Sequence, residues 1–590
     1  MYHQAIVKQI LISLLVIVGT CTSMAQGVHG RERAFNLEQL PKREIRAVWL
    51  TVLQSLDWPK TYAKSAATIS EQKAELVRTL DSYAEANINT VLLQTRVRAS
   101  SIYPSAYEPW TPSLTGREDG NPGYDPLQFA IDECHKRGME LHAWTVALPA
   151  GDWNSLGCKR LRQRGLKMRK LGPYGYLDPS DEKVVAYIVK VCTEIVEKYD
   201  IDGLNFDYLR YPEDWPKPTY KNGDTPDQRR QYLNHLVKEI HDAVKAIKPW
   251  VRISCSPIGK YADLPRYSTH NWNARDRVYQ DAQYWLRMGW MDQLYPMQYF
   301  RGDSYYPYVA DWMEHSYGNA IASGLGTWFL DPKEGKWTLS DVSREMEVSR
   351  QWGMGHAHFR SKFLLENHRG IFDFEKQFSP YPALTPAMKQ SHAAQISAPT
   401  HLNVADGVIS WKGDAPYYNI YVSDEAPVDI HNPKNLLLPR YAYQSLNTNA
   451  QPNILKGWPY VAVTAMDRYG NESAPISNVQ SLPVAQPAST LPSNIYLPND
   501  NQYVDITQAV NALGPVDINY YAIQSLQGNR MRSYLQPIRN NDGTLQLFIG
   551  VLPDGVYWVT AHNKRSNKFY RVGSFEIVPA RLASYHSQSR

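Results

Sequence analysis

The sequence predicts a (β/α)8 barrel followed by two small all-β sandwiches. Strand-like and helix-like blocks alternate eight times between Glu44 and Arg360, polar side chains gather at the carboxyl ends of several of those strands, and helical periodicity gives way to short alternating strands beyond Pro399. At 590 residues the chain is too long for one ordinary core, so one large domain and two small ones fit the length. The predicted boundaries are 41–381 for the barrel, 398–482 for the first sandwich and 497–580 for the second.

Ile45–Leu53 is the first apolar strand; it runs into a Trp58-Pro59 loop, and Ser70 opens an amphipathic helix ending near Ala86. In the second strand, Asn89–Val97, Val91, Leu93 and Val97 share one face and Leu92, Gln94, Arg96 and Arg98 the other. Asp125–Arg137 forms the next helix, with Gly138 as its stop, and Met139–Ala147 the third strand, whose inward candidates are His142 and Trp144. The following loop, 149–179, is rich in Gly, Arg and Lys, and loops of that size inside a compact domain are usually functional or disordered. Ser180 caps the helix that runs to Lys198.

The fourth strand lies in Y-D-I-D-G-L-N-F-D-Y-L-R-Y-P, residues 199–212. A period of two sends Leu204 and Phe206 under the helices and Asn205 and Asp207 inward, so Asp207 stands at the carboxyl end, where barrel active sites are built. The plainer reading is an Asp that caps the next segment or pairs with Arg210. Tyr208, Arg210 and Tyr211 continue as a charged aromatic loop. A helix over Asp227–Ile247 leads to the fifth strand, Val251–Ser256; the sixth is Met291–Tyr299, the seventh Ala320–Phe329 and the eighth Met354–Arg360. The intervening helices fall at Arg275–Met288, Tyr308–Ser316 and Ser340–Trp352. Gln298 and Tyr299 end the sixth strand, Trp328 the seventh, and His356, His358 and Arg360 alternate inward on the eighth.

Beyond the connector 379–399, the strands Val408–Trp411, Tyr417–Val422 and Tyr460–Met466, with the turn Asp467–Glu472, resemble a fibronectin type III module. Trp411 and Trp458 are expected in its core. A Pro-, Ser- and Ala-containing linker leads to strands at Leu545–Val551, Gly555–His562 and Phe569–Ile577, a second sandwich.

Charge is nearly balanced, 63 Lys plus Arg against 58 Asp plus Glu, which argues against a nucleic acid partner. The 40 Tyr and 17 Trp against 13 Phe favour rings with a polar handle, the kind that stack on sugars. Lys8, the apolar run Ile10–Val18 and Ser23-Met24-Ala25 read as an export signal over residues 1–25, so the mature chain is expected to begin near Gln26 in the periplasm or cell envelope. Cys21 is an alternative lipid-attachment site, poorly matched by Thr20 before it. No other stretch is long and apolar enough to span a bilayer. Cys134, Cys158, Cys192 and Cys255 are expected as buried free thiols, and the absence of a C-x-x-C pair argues against a zinc or redox site.

Several motifs recur in order along residues 40–381: Arg43–Leu50, Trp58-Pro59, Leu114-Thr115-Gly116 before Pro122–Leu127, His142-Ala143-Trp144 and Asp202–Asp207. Together they are similar to the bacterial glycosyl hydrolase-like family 10. The resemblance implies a TIM-barrel catalytic domain in an exported or lipid-anchored protein, acting on cell-envelope polysaccharide, in particular peptidoglycan glycan strands freed of peptide. It also implies paired acids after the fourth strand; Asp207 matches the first, while Tyr208 occupies the second position.

Glycosidic cleavage usually takes two carboxyl groups. Asp207 is the first candidate, as a base or nucleophile kept ionised by Arg96 or Arg210. Asp331, beside Trp328, is the favoured partner, although an Asp before Pro332 also reads as a turn residue; Asp152, Glu213, Asp214 and Asp303 are the others. If the sugar carries an N-acetyl group, that amide can itself attack, leaving Asp207 to orient it. Gln94, Arg96, His142, Trp144, Tyr208 and Arg210 from the earlier strands, with Tyr211, Gln298, Tyr299, Trp328 and Arg360, are the expected polysaccharide-binding set. No cofactor or metal is expected. A non-catalytic carbohydrate-binding or scaffolding protein is the alternative function, and a metal hydrolase a third, supported only by His356-x-His358.

Overall fold

The computed structural model describes residues 40–578 apart from 219–223, 266, 268–271, 390–395, 450–457, 480–495 and short stretches between 499 and 568; the segment expected to be an export signal, with Cys21, lies outside the described residues. Eight parallel strands, β1 (Arg46–Leu50), β2 (Thr90–Arg96), β3 (Glu140–Val146), β4 (Gly203–Asp207), β5 (Arg252–Cys255), β6 (Gln293–Leu294), β7 (Ala320–Leu325) and β8 (Gly355–His358), close into a barrel in sequential order. Each is followed by a helix: α1 (Ala66–Glu85), α2 (Pro126–Lys136), α3 (Glu182–Lys198), α4 (Pro226–Ile247), α5 (Ala282–Arg287), α6 (Tyr306–Glu314), α7 (Leu339–Gln351) and α8 (Ile371–Phe378). This is the predicted (β/α)8 arrangement.

The departures have local causes. Helix α1 starts at Ser65, whose side chain accepts the Thr68 N–H while Thr68 answers it, so a capping box wins over the expected start at Ser70. Asp181, not Ser180, caps α3. Pro296 has no N–H to donate, so β6 stops at Leu294 and pairing resumes only as isolated bridges at Met297. The expected helix 275–288 breaks in two around Tyr279, which has a left-handed φ of 61°. On β8 the expected phase is reversed: Ala357 joins Trp49, Leu92, Trp144 and Tyr295 inside the barrel, which turns His356 and His358 outward onto Glu375 of α8.

A three-stranded sheet (400–405, 408–412, 445–447) and a four-stranded sheet (417–423, 436–441, 460–466, 476–477) close over a shared core of Ile409, Trp411, Tyr418, Ile420 and Val463, with Trp458 packed against it. A five-stranded and a three-stranded sheet form a second such unit between 496 and 578, around Val504, Ile523, Leu547 and Val559. The four cysteines within the described residues are buried and unpaired. No helix of the described residues is long and apolar enough to cross a membrane.

The first β unit is locked to the amino-terminal floor of the barrel. Arg440 enters between Glu140 at the start of β3 and Asp202 just before β4; Glu140 also faces Arg252 and accepts the Thr385 hydroxyl at 2.6 Å. Gly138 sits so close to Pro439 that a Cβ would lie 2.4 Å from its carbonyl oxygen, which leaves only glycine at that helix end. At the same seam Glu472 holds Lys42 and accepts the Asn419 amide at 2.9 Å. Burial alone would raise the pKa values of Glu140 and Glu472, yet Arg252, His142 and Arg440 hold the first down to about 2, and Lys42 and Arg43 do the same for the second. Glu44, buried against Arg350 and Arg46, is likewise held at about 2. Depressed folded-state pKa values contribute stability above the unfolded values near 4.5 that is lost as pH falls towards 2. Urea midpoints should therefore hold between pH 7 and 5 and fall steeply between pH 4.5 and 2.5; a flat profile there would contradict these pairings.

Candidate active site

β4 delivers Asp207 to the carboxyl end of the barrel, where its carbonyl accepts the Ala147 N–H from β3's exit at 2.8 Å. Leu204 and Phe206 are fully buried, whereas Asn205 turns toward the side chains of Ser254 and Ser256 on and just after β5, at 3.0 and 3.1 Å. Asp207 Oδ1 accepts the Tyr208 N–H at 2.7 Å, and Tyr208 adopts a left-handed φ of 52° in the sharp exit from the strand. Asp207 is 8% exposed.

Burial raises the Asp207 pKa, and the opposing pull of Arg210, the Tyr208 N–H, the Trp144 indole and Arg98 does not cancel it. This corrects the expectation of a carboxylate kept ionised by arginine. Arg210 does face it, but desolvation outweighs the attraction. Arg96 is engaged elsewhere: its Nε and Nη2 grip Glu108 at 2.7–3.0 Å and its Nη1 donates to the Ala147 carbonyl at 2.8 Å. It braces the loop after β2 against the exit of β3.

At the carboxyl ends of the sixth and seventh strands, polar atoms are buried without hydrogen-bond partners. Both ends of the Gln298 amide, the Tyr299 hydroxyl and the indole N–H of Trp328 have none within the protein, while the Trp144 indole faces Asp207. Tyr299 and Tyr208 both feel the Asp207 charge, which helps raise their phenol pKa values. Phe359 ties the group together, with ring centroids 5.5 Å from Tyr299, 5.9 Å from Trp49 and 6.5 Å from Trp144. Each orphaned group costs about 1–3 kcal/mol unless something else satisfies it. Donors and acceptors without internal partners, with a buried carboxyl of raised pKa and a floor of aromatic rings, suit a polar ligand with flat apolar faces. Because Gln298 contributes no internal bond, Gln298→Ala should leave the melting temperature unchanged or higher while lowering kcat/KM about 100-fold, the cost of losing one preorganised donor; an unfolding transition shifted down with activity intact would contradict the assignment.

The other expected residues divide between the mouth and the frame. Trp328 stacks on Phe329 at 3.7 Å, which stacks on Trp337 at 4.6 Å, giving an aromatic ridge at the exit of β7. Arg210 lies over the Tyr208 ring at 4.5 Å. Gln94 accepts the Val52 and Leu53 N–H groups at 3.0 and 2.8 Å, shaping the loop after β1. His142 is fully buried lower in the barrel, its ring nitrogens meeting Glu140 at 2.9 Å and Gln293 at 3.3 Å, so it belongs to the floor network rather than the mouth. Tyr211 is buried edge-on against Trp215 and Tyr279. Arg360 clamps Asp57 and the Leu56 carbonyl, joining the exits of β8 and β1.

Asp331 turns to its own chain: its side chain accepts the Lys333 N–H at 2.9 Å and faces His368 at 3.9 Å, the turn role already open in the sequence. Asp152 likewise holds the Asn154 N–H, and Asp303 lies in a single turn of 3-10 helix. Glu213 reaches Arg210 at 3.3 Å and is half exposed. It is thereby linked to Asp207 through a shared arginine. Sequence reasoning missed Phe359, Trp49 and Arg98. Phe359 was recoverable from the alternation of Ala357 and Phe359, had the apolar rather than the histidine phase been placed inward.

His356, His358 and Glu375 bring potential metal-ligand atoms within 4.8 Å of one another, all three buried. Both histidines already share one Glu375 oxygen, at 3.0 and 2.9 Å, and the group lies behind β8 under α8, outside the barrel. A metal held there would not face the mouth.

A family model described as "Glycosyl hydrolase-like 10" matches residues 44–315. The "Glycosyl hydrolase YngK" of Bacillus subtilis (strain 168) is 32% identical over 385 residues, covering 59% of this chain and 74% of that protein. The "Glycosyl hydrolase DigH" of Escherichia coli (strain K12) is 28% identical over 343 residues, 51% of this chain and 78% of that one. Among solved structures, the endo-β-1,4-mannanase of Thermotoga petrophila matches at 12% identity and a TM-score of 0.36, over 75% of this chain and 98% of that one; a score this low adds nothing to the barrel already described.

Proposed function

The chain is a glycoside hydrolase of the glycosyl hydrolase-like 10 family, and from that premise we propose that it is exported and cleaves N-acetylated glycan of the bacterial envelope, with peptide-free peptidoglycan strands as substrate. The observation that carries the mechanism is a buried Asp207 with a raised pKa whose charge reaches Tyr299, a hydroxyl buried without an internal partner. Burial favours the protonated form of this carboxyl, which in that form gives its proton to the glycosidic oxygen as the bond to C1 breaks. The expected second carboxyl, Asp331, is spent on its turn. The substrate's own acetamide oxygen therefore attacks C1, as in the substrate-assisted exceptions to the two-carboxylate scheme. Gln298, Tyr299 and the Trp144 indole hold the acetamide and neighbouring hydroxyls. Water then opens the cyclic intermediate, losing its proton to the Asp207 carboxylate and restoring the acid.

The apolar run Ile10–Val18 ahead of Ser23-Met24-Ala25, read as an export signal, supports the location, and the family motifs along the barrel support the substrate. The three-plus-four sheet arrangement supports reading 398–482 as a fibronectin type III-like module, here acting as a brace under the barrel. The test is reducing-end release from peptide-free peptidoglycan strands and from the same strands stripped of N-acetyl groups. Release from the first alone is expected. Equal release from both would remove the acetamide from the mechanism, and release from neither would remove the substrate.

A further inference from the structure

The near-balanced overall charge conceals a local excess. Seven basic residues occur between Lys159 and Lys170 with no acid among them, all in the insertion after β3. Its strands Met168–Leu171 and Tyr174–Leu177 pair with Pro149–Asp152 as a small sheet at the carboxyl end of the barrel. The hairpin borders the loop that follows Asp207: the Arg169 guanidinium lies 5.0 Å over the Trp215 ring, and Tyr176 feels the charges of Arg98, Tyr208, Glu213 and Asp214. Arg98 bridges the two, 5.7 Å over the Tyr174 ring and close enough to act on Asp207.

Part of this charge is used internally. Arg160 pairs with Asp119 at 2.7 Å and Lys167 with Asp178 at 2.9 Å, while Arg162 and Arg164 donate to the carbonyls of Trp153 and Tyr107. Arg169 and Lys170 are exposed and form no ion pair among the described residues, and Tyr174 presents 43% of its surface beside them. On the facing loop Glu213 is taken up by Arg210. The rim thus offers a guanidinium over Trp215 and an ammonium 5.9 Å over Trp153, neither with a carboxylate partner among the described residues, near the exposed Tyr174 ring.

We propose that this hairpin is an anion-reading subsite, in which Arg169, Lys170 and Arg98 bind carboxylate groups carried by the glycan while Tyr174 stacks on a sugar face. The inference rests on the glycan reading of the mouth. A peptide-free strand carries a free carboxylate on every second sugar, and a planar guanidinium pairs with such a group through two parallel hydrogen bonds. A strand still bearing peptide has that carboxylate blocked as an amide, so the subsite would select for strands already stripped.

Binding to the Asp207→Asn protein, by calorimetry, tests this apart from cleavage. The probes are peptide-free peptidoglycan strands, the same strands with carboxyl groups reduced to alcohols, and hyaluronan oligosaccharides. The carboxylated strand should bind at least about tenfold more tightly than its reduced form, with the advantage shrinking as salt screens it. Adding Arg169→Gln and Lys170→Gln should shrink the difference to what Arg98 alone supplies and leave the reduced strand's Kd unchanged. Hyaluronan binding with the same dependence on Arg169 would support carboxylate reading and assign it to uronic acids. Equal Kd values for carboxylated and reduced strands overturn this inference alone; no binding of either strand overturns the envelope-glycan reading with it.

Discussion

Replacing Asp207 by asparagine should lower kcat about 1,000-fold, within the range a positioned general acid supplies, while the folded protein becomes no less stable at neutral pH. Asparagine keeps the shape and can still accept the Tyr208 N–H, but has no proton to give. Stability should respond in the opposite sense to activity because the Asp207 pKa is raised by burial. A raised carboxyl pKa means that the neutral group is favoured in the fold, an advantage complete below the unfolded pKa and lost as pH climbs through the folded one. At neutral pH the wild type bears part of the cost of a buried charge, and asparagine removes it. The same shift predicts that wild-type kcat/KM falls on the alkaline side as Asp207 loses its proton, and that this limb vanishes in the residual activity of the variant. A variant both inactive and less stable would point to a structural role.

Arg440→Ala should cost about 3–5 kcal/mol of unfolding free energy, the penalty of leaving buried charges without their partner. The guanidinium is 6% exposed and touches both Glu140 and Asp202; once it is removed, those carboxylates keep Arg252 and His135, respectively, but lose the contact that crosses to the β unit. Because Glu140 opens β3 and Asp207 ends β4, the loss occurs at the face opposite the mouth, so kcat and KM below the melting transition should stay near wild type. A loss under 1 kcal/mol in urea unfolding would show that the β unit is tethered rather than locked.

Much of the fold was legible because barrel strands and amphipathic helices leave strong periodic signals; all eight strands stand within a few residues of their expected positions. Boundaries failed where one side chain decided them, as at Ser65 and Pro296. Burial phase failed on β8, since a strand covered on both faces can hide polar residues on either, and Glu375, which satisfies both histidines, lies 17 residues downstream of His358. Asp207 was placed at the mouth from alternation alone, whereas its pKa could not be read from neighbouring arginines in sequence: Arg96 is captured by Glu108 twelve residues away and Arg98 acts in its stead. His142 shows the limit of facing inward as a criterion, because depth along the barrel separates floor from mouth and sequence carries depth only roughly.

The most direct measurement is a crystal structure of the Asp207→Asn protein with an N-acetylated oligosaccharide spanning the mouth. The account predicts a glycosidic oxygen within hydrogen-bond reach of the residue 207 side chain, the acetamide of the adjoining sugar folded beneath C1, and the Gln298 amide and Tyr299 hydroxyl bonded to the ligand. A sugar chain seated elsewhere, with residue 207 still enclosed by protein, would contradict it.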